Sequence, residues 1–171
     1  SLFWDFTKIK GTKGQKEIKK SKIFYKNLFL PGSKLNFGEN LLPKNNLDKA
    51  ITFISENGFR EQKSWKQLNL STSKIIRFLR KINIKKGDRV AAYLPNITET
   101  VEGFLATTSI GAIWSSCSPD FGANGVVERF AQINPKILII SDRYYYNGKE
   151  INVIERLPLI LKKIKTISKV I

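Results

Sequence analysis

RVAAYLPNITETVEGFLATTSIGAIWSSC, residues 89–117, is the stretch whose reading decides the fold. Residues 89–94 favour a strand, and Pro95 stops it because proline lacks the N–H a ladder needs. Asn96, with Glu99 three residues on, is expected to cap a helix. Val101, Phe104, Leu105 and Thr108 recur at helical spacing and are expected to face the sheet. A second strand is expected over 112–116. A further helix, about 123–133, presents Val126, Val127, Phe130 and Ile133, and Pro135 separates it from ILIIS at 137–141. That run is apolar throughout, as suits a strand covered on both faces. Strands alternating with helices imply parallel βαβ units with right-handed crossovers. The expected fold class is α/β, a doubly wound parallel βαβ half-domain preceded by an irregular amino-terminal extension and a β-hairpin.

Working outward, two β-favouring runs at 50–55 and 60–65 flank Glu56, Asn57 and Gly58. Asn-Gly is a hairpin signal because both residues tolerate positive φ. Ser64 and Gln67 stand in capping-box relation, and the helix they open has an apolar face of Leu68, Ile75, Ile76, Leu79 and Ile82. Residues 1–47 hold scattered aromatics between lysines and lack sustained periodicity, so they read as an extension or cap. At the other end Ile164, Ile167, Val170 and Ile171 suggest a strand running into the terminus. The chain holds no methionine and begins with Ser1, which reads as an amino-terminal piece of something longer.

With 171 residues, 42% of them hydrophobic, the chain can bury a sizeable core. Thirty Lys and Arg against 14 Asp and Glu leave a net charge of +16. Such a balance suits nucleic acid or an anionic membrane. The lysines are scattered, however, with no run of five like charges, so no specific nucleic-acid partner and no membrane partner are expected. A basic nucleic-acid-binding module stays as the distant alternative, and oligomeric state is left open. Cys117 is the lone cysteine, which excludes an internal disulfide and fits a reducing cytoplasm. The absence of histidine removes Ser/His and Cys/His pairs and the commonest metal ligand.

Ligands of open parallel sheets bind beyond the carboxyl ends of the strands, which directs attention to 95–96, 116–122 and 142–149. The second loop is small and polar and precedes a helix amino end that offers unpaired N–H groups to an anion. In the third, DRYYYNGK, three tyrosines offer stacking faces, Asn147 and Gly148 permit a sharp turn, and Lys149 is a compact cation suited to a phosphate.

GAIWSSCSPDFG at 111–122, QINPKILIISDRYYYNGK after it and LPGSKLNFGENLL at 30–42 resemble the AMP-forming acyl-CoA synthetases, in particular the branch that ligates acetoacetate to coenzyme A. The resemblance covers nearly the whole chain. It implies that 48–171 form the first part of an AMP-binding domain cut short at its carboxyl end. The implied reaction uses acetoacetate, ATP with Mg2+, and coenzyme A. The carboxylate attacks the α-phosphate to give an acyl-adenylate, and the thiol then displaces AMP. The implied phosphate loop, nucleotide contacts and catalytic lysine all lie downstream. This chain alone is therefore expected to be inactive, with no catalytic and no metal-ligating residue of its own. The coenzyme A contacts the resemblance implies here are Phe121, Gly122, Tyr146, Asn147, Gly148 and Lys149. Tyr146 stands where related acetyl-CoA synthetases carry arginine, so a bidentate phosphate contact is not expected there and Lys149 is left as the anion partner. Another short-chain acyl-CoA ligase is the near alternative.

Overall fold

A computed structural model describes residues 2–171. Two compact units divide between Pro43 and Lys44. The first contains α1 (Leu2–Thr7), the two-residue strands β1 (Gly11–Thr12), β2 (Ile18–Lys19), β3 (Leu28–Phe29) and β4 (Lys34–Leu35), and α2 (Phe37–Leu41). β1 pairs with β4 and β2 with β3, both antiparallel. Such short ladders explain why no periodicity was legible there. Asn36 caps α2, its Oδ1 accepting from the Glu39 amide at 3.0 Å.

The second unit opens with the hairpin β5 (Lys49–Ile54) and β6 (Arg60–Ser64), followed by α3 (Trp65–Lys81). The capping box forms in full: Ser64 Oγ accepts from the Gln67 amide and Gln67 Oε1 from the Ser64 amide. The hairpin turn works differently from its expectation. Gly58 alone takes positive φ, at +82°. Asn57 serves instead through its side-chain carbonyl, which accepts from the Phe59 amide at 3.1 Å. Asn supplies such a local acceptor as readily as it supplies a left-handed backbone.

The sheet follows: β7 (Arg89–Tyr93), α4 (Thr98–Ser109), β8 (Ile113–Cys117), α5 (Ala123–Ala131) and β9 (Ile137–Ile140). A second hairpin, β10 (Arg143–Tyr146) with β11 (Lys149–Asn152), then leads to α6 (Leu157–Lys163) and β12 (Lys169–Val170). The four parallel strands lie in the order β12-β9-β7-β8. Alternation along the strands sorts the core into two layers. Ala91, Tyr93 and Leu138 pack with Val126 and Phe130 of α5 and Ile160 of α6 on one face. Val90 and Ile137 pack with Leu79 of α3 and Ala106 of α4 on the other, where Ile75, Ile76 and Ile82 join them. The expected terminal strand is present as β12, with the Ile171 amide donating to Leu138 O at 2.9 Å.

Two expectations about α4 are corrected. Its N-cap is Ile97, without a side-chain cap, and Asn96 plays no part. Thr98 Oγ1 is committed elsewhere, at 2.7 Å from Glu61 Oε2. The sheet-facing stripe is also rotated. Leu105 is buried and Phe104 meets Trp114 of β8 edge-on, ring centroids 6.4 Å apart, but Val101 is only half-buried, Thr108 Oγ1 turns back to Phe104 O, and Ala106 and Ile110 join the core. At Gly103 a Cβ would meet Trp114 Cη2 at 2.9 Å. Small residues let the helix settle onto the Trp114 ring, and an apolar-periodicity reading weights large side chains instead. On its other flank α4 is tied to the first hairpin by the Lys63–Glu102 ion pair, 2.7 Å long and largely enclosed. Burial works to lower the Lys63 pKa, but the hydrogen bond and charge of Glu102 outweigh it and hold the ammonium above its ordinary value.

Candidate functional site

β7 connects onward to β8 on one side, whereas β9 connects onward to β12 on the other, so β7 and β9 flank a topological switch point. Such points leave a crevice beyond the strands' carboxyl ends. A cleft of roughly 740 Å3 lies there, walled by 95–98 and Val101 after β7, by 143–145 after β9, and by 51–57 and Phe59 of the first hairpin. The hairpin wall was not foreseen, because nothing in its alternation pattern says where it docks.

None of the six sequence-predicted residues lines that cleft. They fall into two groups beside it. Phe121 and Gly122 lead into α5, Gly122 being its N-cap, with no side chain satisfying the first-turn amides. Phe121 is exposed, and the Arg129 guanidinium lies 4.2 Å from its ring centroid. Tyr146, Asn147, Gly148 and Lys149 form the tip of the second hairpin, so the expected loop is a β-ladder. Asn147 and Gly148 both take positive φ, +51° and +70°, as a two-residue hairpin turn of twisted strands requires. The Gly148 amide already faces Glu56 Oε2 at 3.4 Å, so an anion at the tip would rely on Lys149 rather than on this amide.

One contact brings the two groups' parent segments together. Tyr144 Oη donates to Asp120 Oδ1 at 2.9 Å, and burial followed by the Asp120 carboxylate pushes its pKa up to about 12. A deeper set of bonds holds the 118–122 loop itself. Tyr93 Oη donates to Phe121 O at 2.5 Å. Arg156 Nη1 donates to Pro119 O at 2.6 Å, to Phe121 O at 3.2 Å and to Tyr93 Oη. Burial raises the Tyr93 pKa although Arg156 pulls the other way, so the phenol stays protonated and able to donate. Sequence reading missed both residues. Tyr93 looked like one more strand residue, and Arg156 sat in front of an apolar run with no motif around it.

Arg143 is neutralised by Asp142 at 3.2 Å and Glu150 at 2.7 Å. Arg129, Lys149 and Arg156 have no carboxylate within ion-pair distance among the described residues. Phe121 with Arg129 at α5's amino end, and Lys149 at the hairpin tip, supply a ring and free cations of the kind that suit an anionic ligand bearing a stackable ring, whereas Arg156 is spent on the loop carbonyls. No three His, Cys, Asp or Glu side chains gather into a metal site among the described residues. No helix among the described residues is long and apolar enough to cross a membrane.

Residues 44–171 match the family model described as AMP-binding enzyme. The chain belongs to that AMP-binding enzyme family. Within it, the chain is similar to the acetoacetyl-coenzyme A synthetase of Rhizobium meliloti (strain 1021), 42% identical over 94% of this chain and 25% of the relative. It is also similar to the malonamoyl-CoA synthetase vrtB of Penicillium aethiopicum, 32% identical over 98% of this chain and 24% of the relative. Among solved structures it matches acetoacetyl-CoA synthetase from Streptomyces lividans with a TM-score of 0.89 and 28% identity, covering 98% of this chain and 26% of that one. The chain thus spans about a quarter of the length of the curated relatives it matches. The α/β fold with a parallel sheet agrees with that membership.

Proposed function

We propose that this chain belongs to an ATP-dependent acid-thiol ligase, AMP-forming, that activates acetoacetate as its adenylate and transfers the acyl group to coenzyme A in the cytoplasm. The observation that carries the reading is the 42% identity to a named acetoacetyl-CoA synthetase over nearly the full chain, against 32% to the malonamoyl relative. The stretch supplies scaffold and one edge of the coenzyme A site. Phe121 presents its ring at the amino end of α5, and Gly122 leaves the first-turn amides open. Tyr146, Asn147 and Gly148 shape the hairpin tip, and Lys149 meets a phosphate as a point charge. ATP and the Mg2+ that accompanies it bind to other parts of the protein, and residues 1–171 alone make no adenylate.

The test is AMP and thioester formation by the intact protein with ATP, Mg2+ and coenzyme A, offered acetoacetate, acetate, malonamate or propionate. Preference for acetoacetate in kcat/KM supports the reading. Preference for malonamate or another short-chain acid replaces the substrate while keeping the ligase, a second reading favoured by the malonamoyl relative. Turnover without coenzyme A consumption overturns both.

A further inference from the structure

We infer that Arg156 and Tyr93 are positioning residues that hold the 118–122 loop in the shape that receives coenzyme A, without touching that ligand through their own clamped atoms. The inference rests on the coenzyme A reading above. Three observations lead to it. The Arg156 guanidinium, a charge with no carboxylate within ion-pair distance among the described residues, spends Nη1 on the carbonyls of Pro119 and Phe121 and on the Tyr93 hydroxyl. Tyr93, fully buried at the end of the central strand, sends its hydroxyl to Phe121 O at 2.5 Å and Pro119 O at 3.3 Å. Both carbonyls are therefore gripped from below by two elements far apart in sequence, while the Phe121 ring stays exposed.

The physical consequence is preorganisation. A loop of Ser, Pro, Asp, Phe and Gly would otherwise sample many shapes, and a ligand would have to order it on binding. Turning two carbonyls inward fixes the peptide planes around Phe121, which sets both the ring and the entry to α5. Lysine cannot reproduce this grip, because all three contacts converge on Nη1, one bond farther from the backbone than a lysine Nζ reaches, and the flexible lysine stem lacks the rigid plane that holds Nη1 there.

Steady-state kinetics and coenzyme A titration calorimetry on intact wild type, Arg156→Ala, Arg156→Lys and Tyr93→Phe decide the matter. The inference predicts that Arg156→Ala weakens coenzyme A roughly tenfold in both KM and Kd, with acetoacetate-dependent ATP–pyrophosphate exchange within about twofold of wild type. Arg156→Lys stays nearly as impaired, and Tyr93→Phe moves coenzyme A binding roughly threefold in the same direction. Hydrogen exchange at the Asp120 and Phe121 amides should quicken in all three. Should Arg156→Ala fail to fold, Tyr93→Phe decides alone, since it removes one oxygen and keeps the ring. Near-wild-type binding by Arg156→Lys, an unchanged coenzyme A Kd in Tyr93→Phe, or an equal loss in the exchange reaction overturns the inference. A wild-type protein that neither binds nor consumes coenzyme A overturns the underlying reading instead, and shows itself before any variant is made.

Discussion

The 118–122 loop and the tip of the second hairpin are proposed to meet the same ligand, yet they are built in opposite ways. The loop is fastened from beneath by Tyr93 and Arg156, and Tyr93 is itself part of the buried layer that holds Val126 and Phe130. The hairpin hangs on its own ladder and on exposed pairs, Arg143–Glu150 and Tyr145–Glu150 among them. Exposed pairs of this kind each contribute little, whereas bonds beneath a loop escape competition with water. A ligand held between two such parts meets one surface already shaped and another that adjusts.

The largest way to break this contrast is through the core under the fastened loop. Phe130 is fully buried beside Tyr93, and Phe130→Ala should cost about 3–5 kcal/mol in denaturant unfolding. A loss under about 1 kcal/mol would mean that Phe130 does not pack in the layer that seats Tyr93. On the hairpin side, Lys149→Ala should raise the KM for coenzyme A by an amount equivalent to about 1–2 kcal/mol while leaving unfolding and the ATP and acetoacetate constants alone. Unchanged coenzyme A kinetics would reduce the tip to a surface turn.

A third measurement asks whether acid acts at the site or away from it. Asp88, at the amino end of β7 and hence the far edge of the sheet, is 2.7 Å from Lys136. That hydrogen bond, with one from the Lys85 amide, holds its carboxyl below the ordinary aspartate range. A carboxyl depressed in the folded state stabilises at neutral pH, and the contribution is lost as pH falls from the ordinary aspartate value through the lower folded one. Lys136 is about half exposed, so the screened contribution is roughly 1 kcal/mol or less. Asp88→Asn should flatten stability against pH over that acid window, and an equal slope in the mutant would assign the acid response elsewhere.

The smallest effect is expected at the Tyr144–Asp120 hydrogen bond joining the two regions. Tyr144→Phe should cost about 0.5–1 kcal/mol and remove a phenol that ionises near pH 12 from the ultraviolet titration. A tyrosine raised in this way stabilises below the ordinary tyrosine range and loses that contribution as pH climbs through about 12, so the mutant should lack that alkaline step. A titration identical to wild type would detach the hairpin from the loop.

The capping box at Ser64 and Gln67 and the strand-helix alternation over 89–140 were legible because each is set by neighbours within one or two turns. The Asn-Gly reasoning held at Asn147 and Gly148 yet failed in part at Asn57, where a side-chain carbonyl did the bracing. Contacts between segments distant in sequence leave no such local mark. The close approach of Gly103 to Trp114 depends on two segments meeting, and so does the grip of Arg156 on residues 35 and 37 positions earlier. Single-residue chemistry marks Arg156 only as a charge, and no spacing rule links it to Tyr93.

The docking of Trp114 against Gly103 also gives the molecule an optical gauge. Of three tryptophans, Trp4 lies in the first unit and Trp65 opens α3, so only Trp114 sits where a helix meets the parallel sheet. With the other two replaced by phenylalanine, its emission would follow the seating of α4 alone. A red shift preceding global unfolding would mark that helix lifting away as a separate event, and simultaneous loss would show helix and sheet melting as one body.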